Sequence, residues 1–277
     1  MMKTIYMADL DGTLLHSDGT LSDYTKTTLN ALIERGLQFT VNTSRSPRSA
    51  EAVISELNLR LPAIYMNGSL FCNTQSGDIL HTECIAQSDA RIALATCLRM
   101  GAEPFLFSYR DGDVDVQYKN CNAEESQMFL NARKGYYKSF RQVSDFKVSN
   151  HTPYILCVGK PSKLNIIKNI LNELKGIHAI VYPEVHQPFC YLEIYSKNAG
   201  KGVGLTLYKK KFGFDRVVAF GDNLNDIPML EAADFGIAMA NGYSGLKSVA
   251  DLEIDSCDKD AVANYLLMEW ARDPKLY

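Results

Sequence analysis

Apolar residues along this chain follow two rhythms. Short continuous runs, TIYMADL near the start, LQFTVNTS, PAIYMNG and, far downstream, RVVAFGD and FGIAMANG, read as buried strands. Between them the apolar positions recur at helical spacing. SDYTKTTLNALIERG opens on Ser22 as N-cap and closes at Gly36. SPRSAEAVISELNL offers Ser46 as N-cap, Pro47 at the first helical position, and Ala50, Val53, Ile54 and Leu57 on one face. KGVGLTLYKKKFG, DIPMLEAA and DAVANYLLMEWA read as further helices. Strand–helix–strand repeats at both ends imply right-handed crossovers and a parallel sheet covered on both faces. The expected fold class is α/β with a Rossmann-like core.

The middle, residues 84–188, has a different rhythm. EPFLFSYRDGDVDVQYK reads as a hairpin turning on Asp111-Gly112, a favoured type I′ pair. PSKLNIIKNILNELKG places Leu164, Ile167, Leu171 and Leu174 on one helix face and ends at Gly176. HAIVYP and FCYLEIY read as strands. The expectation is an inserted α+β domain at 84–188 and a discontinuous outer domain built from 1–83 and 189–277. No internal repeat or low-complexity linker is visible.

Composition narrows the function classes. A formal charge of −3 over 277 residues argues against a general nucleic-acid or anionic-membrane binder. Lys209, Lys210 and Lys211 read as a solvated helix face. The seven cysteines are scattered, without CxxC or Cys/His zinc spacing, and sit beside apolar residues as small hydrophobes. No leader is evident, and no apolar run approaches the roughly 18 residues that span a bilayer. The expectation is a cytoplasmic protein.

The polar outliers then converge. Asp9, Thr43 and Asp222 each fall at the carboxyl end of an expected strand, where open α/β sheets bind ligands, and Asn67 is expected on the rim. Asp9, Asp11 and Asp222 would repel one another without a cation. The donors are hard oxygens, so Mg²⁺ suits them and zinc does not. Thr43, the amides of NTSRS and the Lys201 ammonium would supply donors to phosphate oxygens. Gly12 and Gly202 would allow close backbone approach. A carboxylate facing a phosphoryl group can act as nucleophile.

DLDGT (Asp9 to Thr13), NTSRS, GKG around Lys201 and GDNLND (Gly221 to Asp226) resemble, in order, the four motifs of the haloacid dehalogenase superfamily. The inserted middle and GDNLNDIPML resemble its Cof-type phosphatases, which carry a C2-type α/β cap. The resemblance implies that Asp9 is nucleophile and metal ligand, and that Asp11 is general acid and base, binding Mg²⁺ through its carbonyl. It implies that Asp222 is a metal ligand with Asp226 in support. Thr43, Ser44, Lys201, Asn225 and the Leu10 amide would hold the phosphoryl group, and the cap would close over it. Many relatives have glycine where Ser44 stands, which implies an altered fit.

Blander readings compete at each position. Asp9 and Asp11 could form a strand-ending turn, and one of Asp222, Asn225 and Asp226 could cap a helix. Lys201 could be solvated. Arg45 and Arg48 either reach the substrate or form surface ion pairs. His16, His81, His151, His178 and His186 read as structural or solvent-facing. The leading expectation is a Mg²⁺-dependent phosphomonoesterase acting on a small cytosolic phosphate ester such as a sugar phosphate. Alternatives are phosphoryl transfer to another hydroxyl, as in a mutase, and a non-catalytic phosphate-ester binding protein.

Overall fold

The computed structural model describes residues 2–110, 113–133, 139–183 and 189–272. The turn residues Asp111 and Gly112, and His186, lie outside them. Along the chain run β1 (Thr4–Ala8), α1 (Asp23–Glu34), β2 (Phe39–Val41), α2 (Pro47–Ile54), β3 (Ala63–Tyr65), β4 (Leu70–Cys72) and β5 (Ile79–Thr82). Next come α3 (Gln87–Arg99), β6 (Phe105–Arg110), β7 (Asp113–Tyr118), α4 (Glu124–Arg133), β8 (Ser139–Gln142) and β9 (Tyr154–Gly159). Then follow α5 (Pro161–Leu171), β10 (Ile177–Pro183) and β11 (Cys190–Ser196). The chain ends with α6 (Lys201–Phe212), β12 (Arg216–Gly221), α7 (Ile227–Ala232), β13 (Phe235–Met239), α8 (Ser244–Lys247), β14 (Leu252–Ile254) and α9 (Ala261–Arg272). Two compact units result: Met1–Arg45, Ala50–His81 and Gly200–Tyr277 form one, Ser46–Ser49 and Thr82–Ala199 the other.

The first unit holds a parallel sheet in the order β14-β13-β12-β1-β2. Its central strands β1 and β12 are largely apolar because helices cover both faces. On one face Ile5, Met7, Val217 and Ala219 pack with Leu205 and Tyr208 of α6 and with Met229 and Leu230 of α7. Burying each large side chain contributes about 1.5–3 kcal/mol, so this layer fixes the strand ends against α6. Ser22 caps α1 as expected, accepting from the Thr25 amide at 2.9 Å. The third expected strand departs from the parallel pattern. β3 pairs antiparallel with β4 in a separate three-stranded sheet, and one parallel bridge, Asn42 to Ile64, ties it to the end of β2.

The second unit is a six-stranded sheet in the order β10-β11-β9-β6-β7-β8, antiparallel except for β7 with β8. Helices α3 and α5 supply Leu94, Cys97, Leu164 and Ile167 to an aliphatic layer with Ile155, Leu192 and Ile194. Two expectations need correction. The boundary at 188/189 would cut this sheet, because β11 is hydrogen-bonded to β9 on one side and β10 on the other. The unit instead extends to Ala199. The helix expected to reach Gly176 stops at Leu171, because the Asn172 side chain leaves the helical path to bond both backbone groups of Ala179.

Candidate active site

Asp9, Thr43, Asn67 and Asp222 sit where strands of the first unit end. β1 runs out at Ala8, and the Asp9 amide takes the last ladder bond, to Phe220 O at 3.0 Å. The chain then turns through Gly12, whose φ of +73° suits glycine. A Cβ there would also run into the Asp222 carboxylate. That turn delivers Thr13, whose hydroxyl donates to Asp222 Oδ1 at 2.9 Å. Asp222 follows directly on Gly221 at the end of β12.

Lys201 opens α6 and is wholly buried, its Nζ 2.8 Å from Asp9 Oδ2 and 2.6 Å from Asp226 Oδ1. The solvated reading of this lysine therefore fails. Asp9 Oδ1, the other oxygen of the same carboxylate, is buried with no hydrogen-bond partner. One oxygen each from Asp9, Asp222 and Asp226 lie within 4.8 Å of one another. Asp226 is the least available of the three. Its Oδ1 accepts from Lys201, and its Oδ2 accepts from the amides of Asp222 (3.1 Å) and Asn223 (3.0 Å).

Burial raises the Asp9 carboxyl to about 7, against the pull of Lys201. Burial, then Asp226 and Asp9, raise Asp222 well above the carboxylate range. Burial disfavours the Lys201 ammonium, but Asp226 and Asp9 outweigh it and the lysine stays charged. Three carboxylates around one ammonium leave an excess of negative charge, and the gathered oxygens of Asp9, Asp222 and Asp226 suit a hard divalent cation. Of the expected donors, Asp9 and Asp222 belong to that cluster.

The remaining candidates form a second cluster. Thr43 is fully buried, and its Oγ1 accepts from the Arg45 amide at 3.1 Å. Asn67 is fully buried rather than on a rim. Its amide donates to Thr43 O (3.1 Å), its carbonyl accepts from Gly200 N (2.6 Å), and its side chain accepts from Asn225 Nδ2 (3.4 Å). It thereby links the loop after β2, the start of α6 and the loop after β12. The link requires positive φ at Met66, Asn67 and Gly68, because Gly68 packs against the Gly200 backbone. Asn225 Oδ1 is buried and unpartnered.

Gly202 serves packing: a Cβ there would collide with the Pro228 carbonyl of α7. Leu10 is buried and Ser44 half-buried. Asp11 is half-exposed and is gripped by Arg45, whose Nε donates to Oδ2 at 2.8 Å and Nη2 to Oδ1 at 2.5 Å. Of the two readings of Arg45, the structure shows the ion pair, with Asp11 as the partner. His16 bonds Asp260 Oδ1 at 3.0 Å, away from the carboxylates. Sequence reasoning missed Asn42, whose signal was an amide within an otherwise apolar strand end.

Buried carboxylates, a buried lysine and an unpartnered carboxylate oxygen thus gather at one end of a parallel α/β sheet, where open sheets of this kind bind ligands. The chain belongs to the haloacid dehalogenase-like hydrolases, whose family profile matches residues 6–266. Its curated relatives are named as phosphatases. It is 26% identical to the 5-amino-6-(5-phospho-D-ribitylamino)uracil phosphatase YitU of Bacillus subtilis, over 93% of this chain and 94% of that protein. It is 27% identical to the HMP-PP phosphatase of Klebsiella pneumoniae, over 99% and 98%. Among solved structures, SMU.1108c from Streptococcus mutans matches with a TM-score of 0.81 at 21% identity, covering 98% of this chain and all of that one. A haloacid dehalogenase-like hydrolase from Bacteroides thetaiotaomicron matches at 0.79 and 23%, over 96% and 99%. Among the described residues no helix is long and apolar enough to cross a membrane.

Proposed function

We propose that this protein is a Mg²⁺-dependent phosphomonoesterase acting on a small cytosolic phosphate ester, a sugar phosphate or related metabolite, with Asp9 as nucleophile. The observation that carries the reading is the division of labour within one carboxylate. Lys201 and burial fix Asp9 through Oδ2, while Oδ1 is left without a partner. An oriented, desolvated, unpaired carboxylate oxygen is costly to keep, and it is what in-line attack at phosphorus requires.

Asp9, Asp222 and the Asp11 carbonyl would hold the cation. When bound, it would neutralise the carboxylates and withdraw charge from the phosphoryl oxygens. Asp9 Oδ1 attacks phosphorus, the bond to the ester oxygen breaks, and Asp11 gives its proton to the departing alkoxide. Asp11 then takes a proton from water, whose oxygen attacks the aspartyl-phosphate, and phosphate leaves as the Asp9 carboxylate is restored. Thr43, Ser44, Lys201, Asn225 and the Leu10 amide would bind the phosphoryl oxygens. Asp226 keeps Lys201 in place, and Gly12 makes room for Asp222.

The test is phosphate release with Mg²⁺ over a panel that includes hexose phosphates, pyridoxal phosphate, nucleotides and a phosphorylated ribitylaminouracil. Release from at least one ester is expected, with Asp9→Asn inactive on all of them. Turnover by that variant would remove Asp9 from the role. An isomerised sugar phosphate in place of free phosphate would replace hydrolysis by transfer.

A further inference from the structure

Asn42 occupies a position where an aliphatic residue would be expected. Its amide donates to Ala8 O at 2.9 Å and its backbone bridges to Ile64, so it continues the ladder beyond β2. A strand covered on both faces favours apolar side chains, and its neighbours Phe39 and Val41 comply. Thr40 is polar but donates to Pro62 O at 2.7 Å. Asn42 is fully buried, and its Oδ1 has no partner. An unpaired buried acceptor is costly to keep and calls for an offsetting role.

The other end of the amide supplies one. Nδ2 donates to the carbonyl of Lys201 at 3.0 Å, and otherwise lies 3.6 Å from the Met7 sulfur. Lys201 is the first residue of α6, preceded by Gly200, which provides no side-chain cap. Its Nζ ends four methylenes away, between Asp9 and Asp226. We infer that Asn42 is a positioning residue that pins the Lys201 backbone, so that the ammonium reaches Asp9 Oδ2 and Asp226 Oδ1 together. The inference rests on the reading of the Asp9–Lys201 pair as part of the phosphoryl-transfer site. Asn42 touches neither carboxylate and acts only through Lys201.

The test compares Asn42→Leu, which keeps the shape and removes both polar atoms, with wild type. Its melting temperature should stay level or rise, because the unpaired oxygen is gone. A misplacement of order 1 Å costs about 100-fold, so kcat should fall about 10- to 100-fold with KM changed far less. Adding Asn42→Leu to Lys201→Met should change residual kcat less than about twofold, because no ammonium remains to be placed. Equal losses in both backgrounds would make Asn42 merely structural. If the leucine variant does not fold, Asn42→Ala carries the same comparison. A wild type without phosphatase activity would sink the functional reading alone. The positioning claim would then be read from a crystal structure of the variant, where an ammonium unmoved from Asp9 and Asp226 overturns it and a displaced one supports it.

Discussion

The Lys201 ammonium lies 2.8 Å from Asp9 Oδ2 with both groups buried, although 192 positions separate them in the chain. A buried pair with this geometry is expensive to break, because whichever partner remains is an uncompensated charge. Lys201→Met should therefore lower stability by about 3–5 kcal/mol, moderated where a bound cation takes over the Asp9 charge. It should also lower kcat about 100- to 1,000-fold through loss of an electrostatic donor. Chemical denaturation with and without Mg²⁺, alongside steady-state kinetics, measures both.

The raised carboxyls predict a pH-dependent response to metal. With a chelator present, the folded protein holds the Asp9 proton up to about 7, whereas the unfolded chain releases it near 3.8. The folded state thus binds more protons between those values, so this group's contribution to stability falls as pH rises from about 4 to 7. Asp222 acts in the same direction. A divalent cation replaces those protons and removes the penalty. The rise in melting temperature on adding Mg²⁺ should be small at pH 5 and largest above pH 7, as differential scanning fluorimetry across that range would record. A rise independent of pH would count against Asp9 and Asp222 as ligands.

Arg45 holds both oxygens of the ionised Asp11 carboxylate and so sets where it points; to act as general acid Asp11 must take up a proton and loosen this grip. General acid catalysis contributes typically 10²- to 10⁴-fold, and matters least for leaving groups that depart unprotonated. Arg45→Ala should cost about tenfold or more in kcat for an alkyl phosphate and distinctly less for p-nitrophenyl phosphate. Equal losses on both would assign Arg45 to phosphate binding instead.

Asn67 adopts a φ of +51° that asparagine tolerates and alanine does not. Asn67→Ala should destabilise by about 1–2 kcal/mol. Asn67→Gly accepts the backbone, so it should stay near wild-type stability while losing the contact with Asn225. The order Asn ≈ Gly > Ala in urea denaturation checks the strain. Activity reduced in both variants checks the link to Asn225.

Much of this was legible in the sequence, and for identifiable reasons. Asp9 and Asp222 stood out because a buried apolar strand that ends on a carboxylate must justify its desolvation, and Asp11 stood out as the second aspartate of DLDGT. Period and punctuation located β1, α1, α6 and β12, since each is decided by local contacts and caps such as Ser22. FCYLEIY was recognisable as a strand, but its partners were not. Strand pairing is a long-range choice, and only β9 and β10 on either side decided that β11 belongs to the second unit.

The same distinction separates the two halves of the site. The residues that the proposed chemistry calls on are few and polar, so the sequence by itself singled out the candidates and their order. Which oxygen of Asp9 is held and which is left unpaired, that Asp226 shares Lys201 with Asp9, and that Asn42 grips the Lys201 carbonyl were decided only by the tertiary structure. The bonds of Lys201 to Asp9 and Asn42 join residues 192 and 159 positions apart, and burial decides which oxygen of one side chain is paired. No local pattern encodes either.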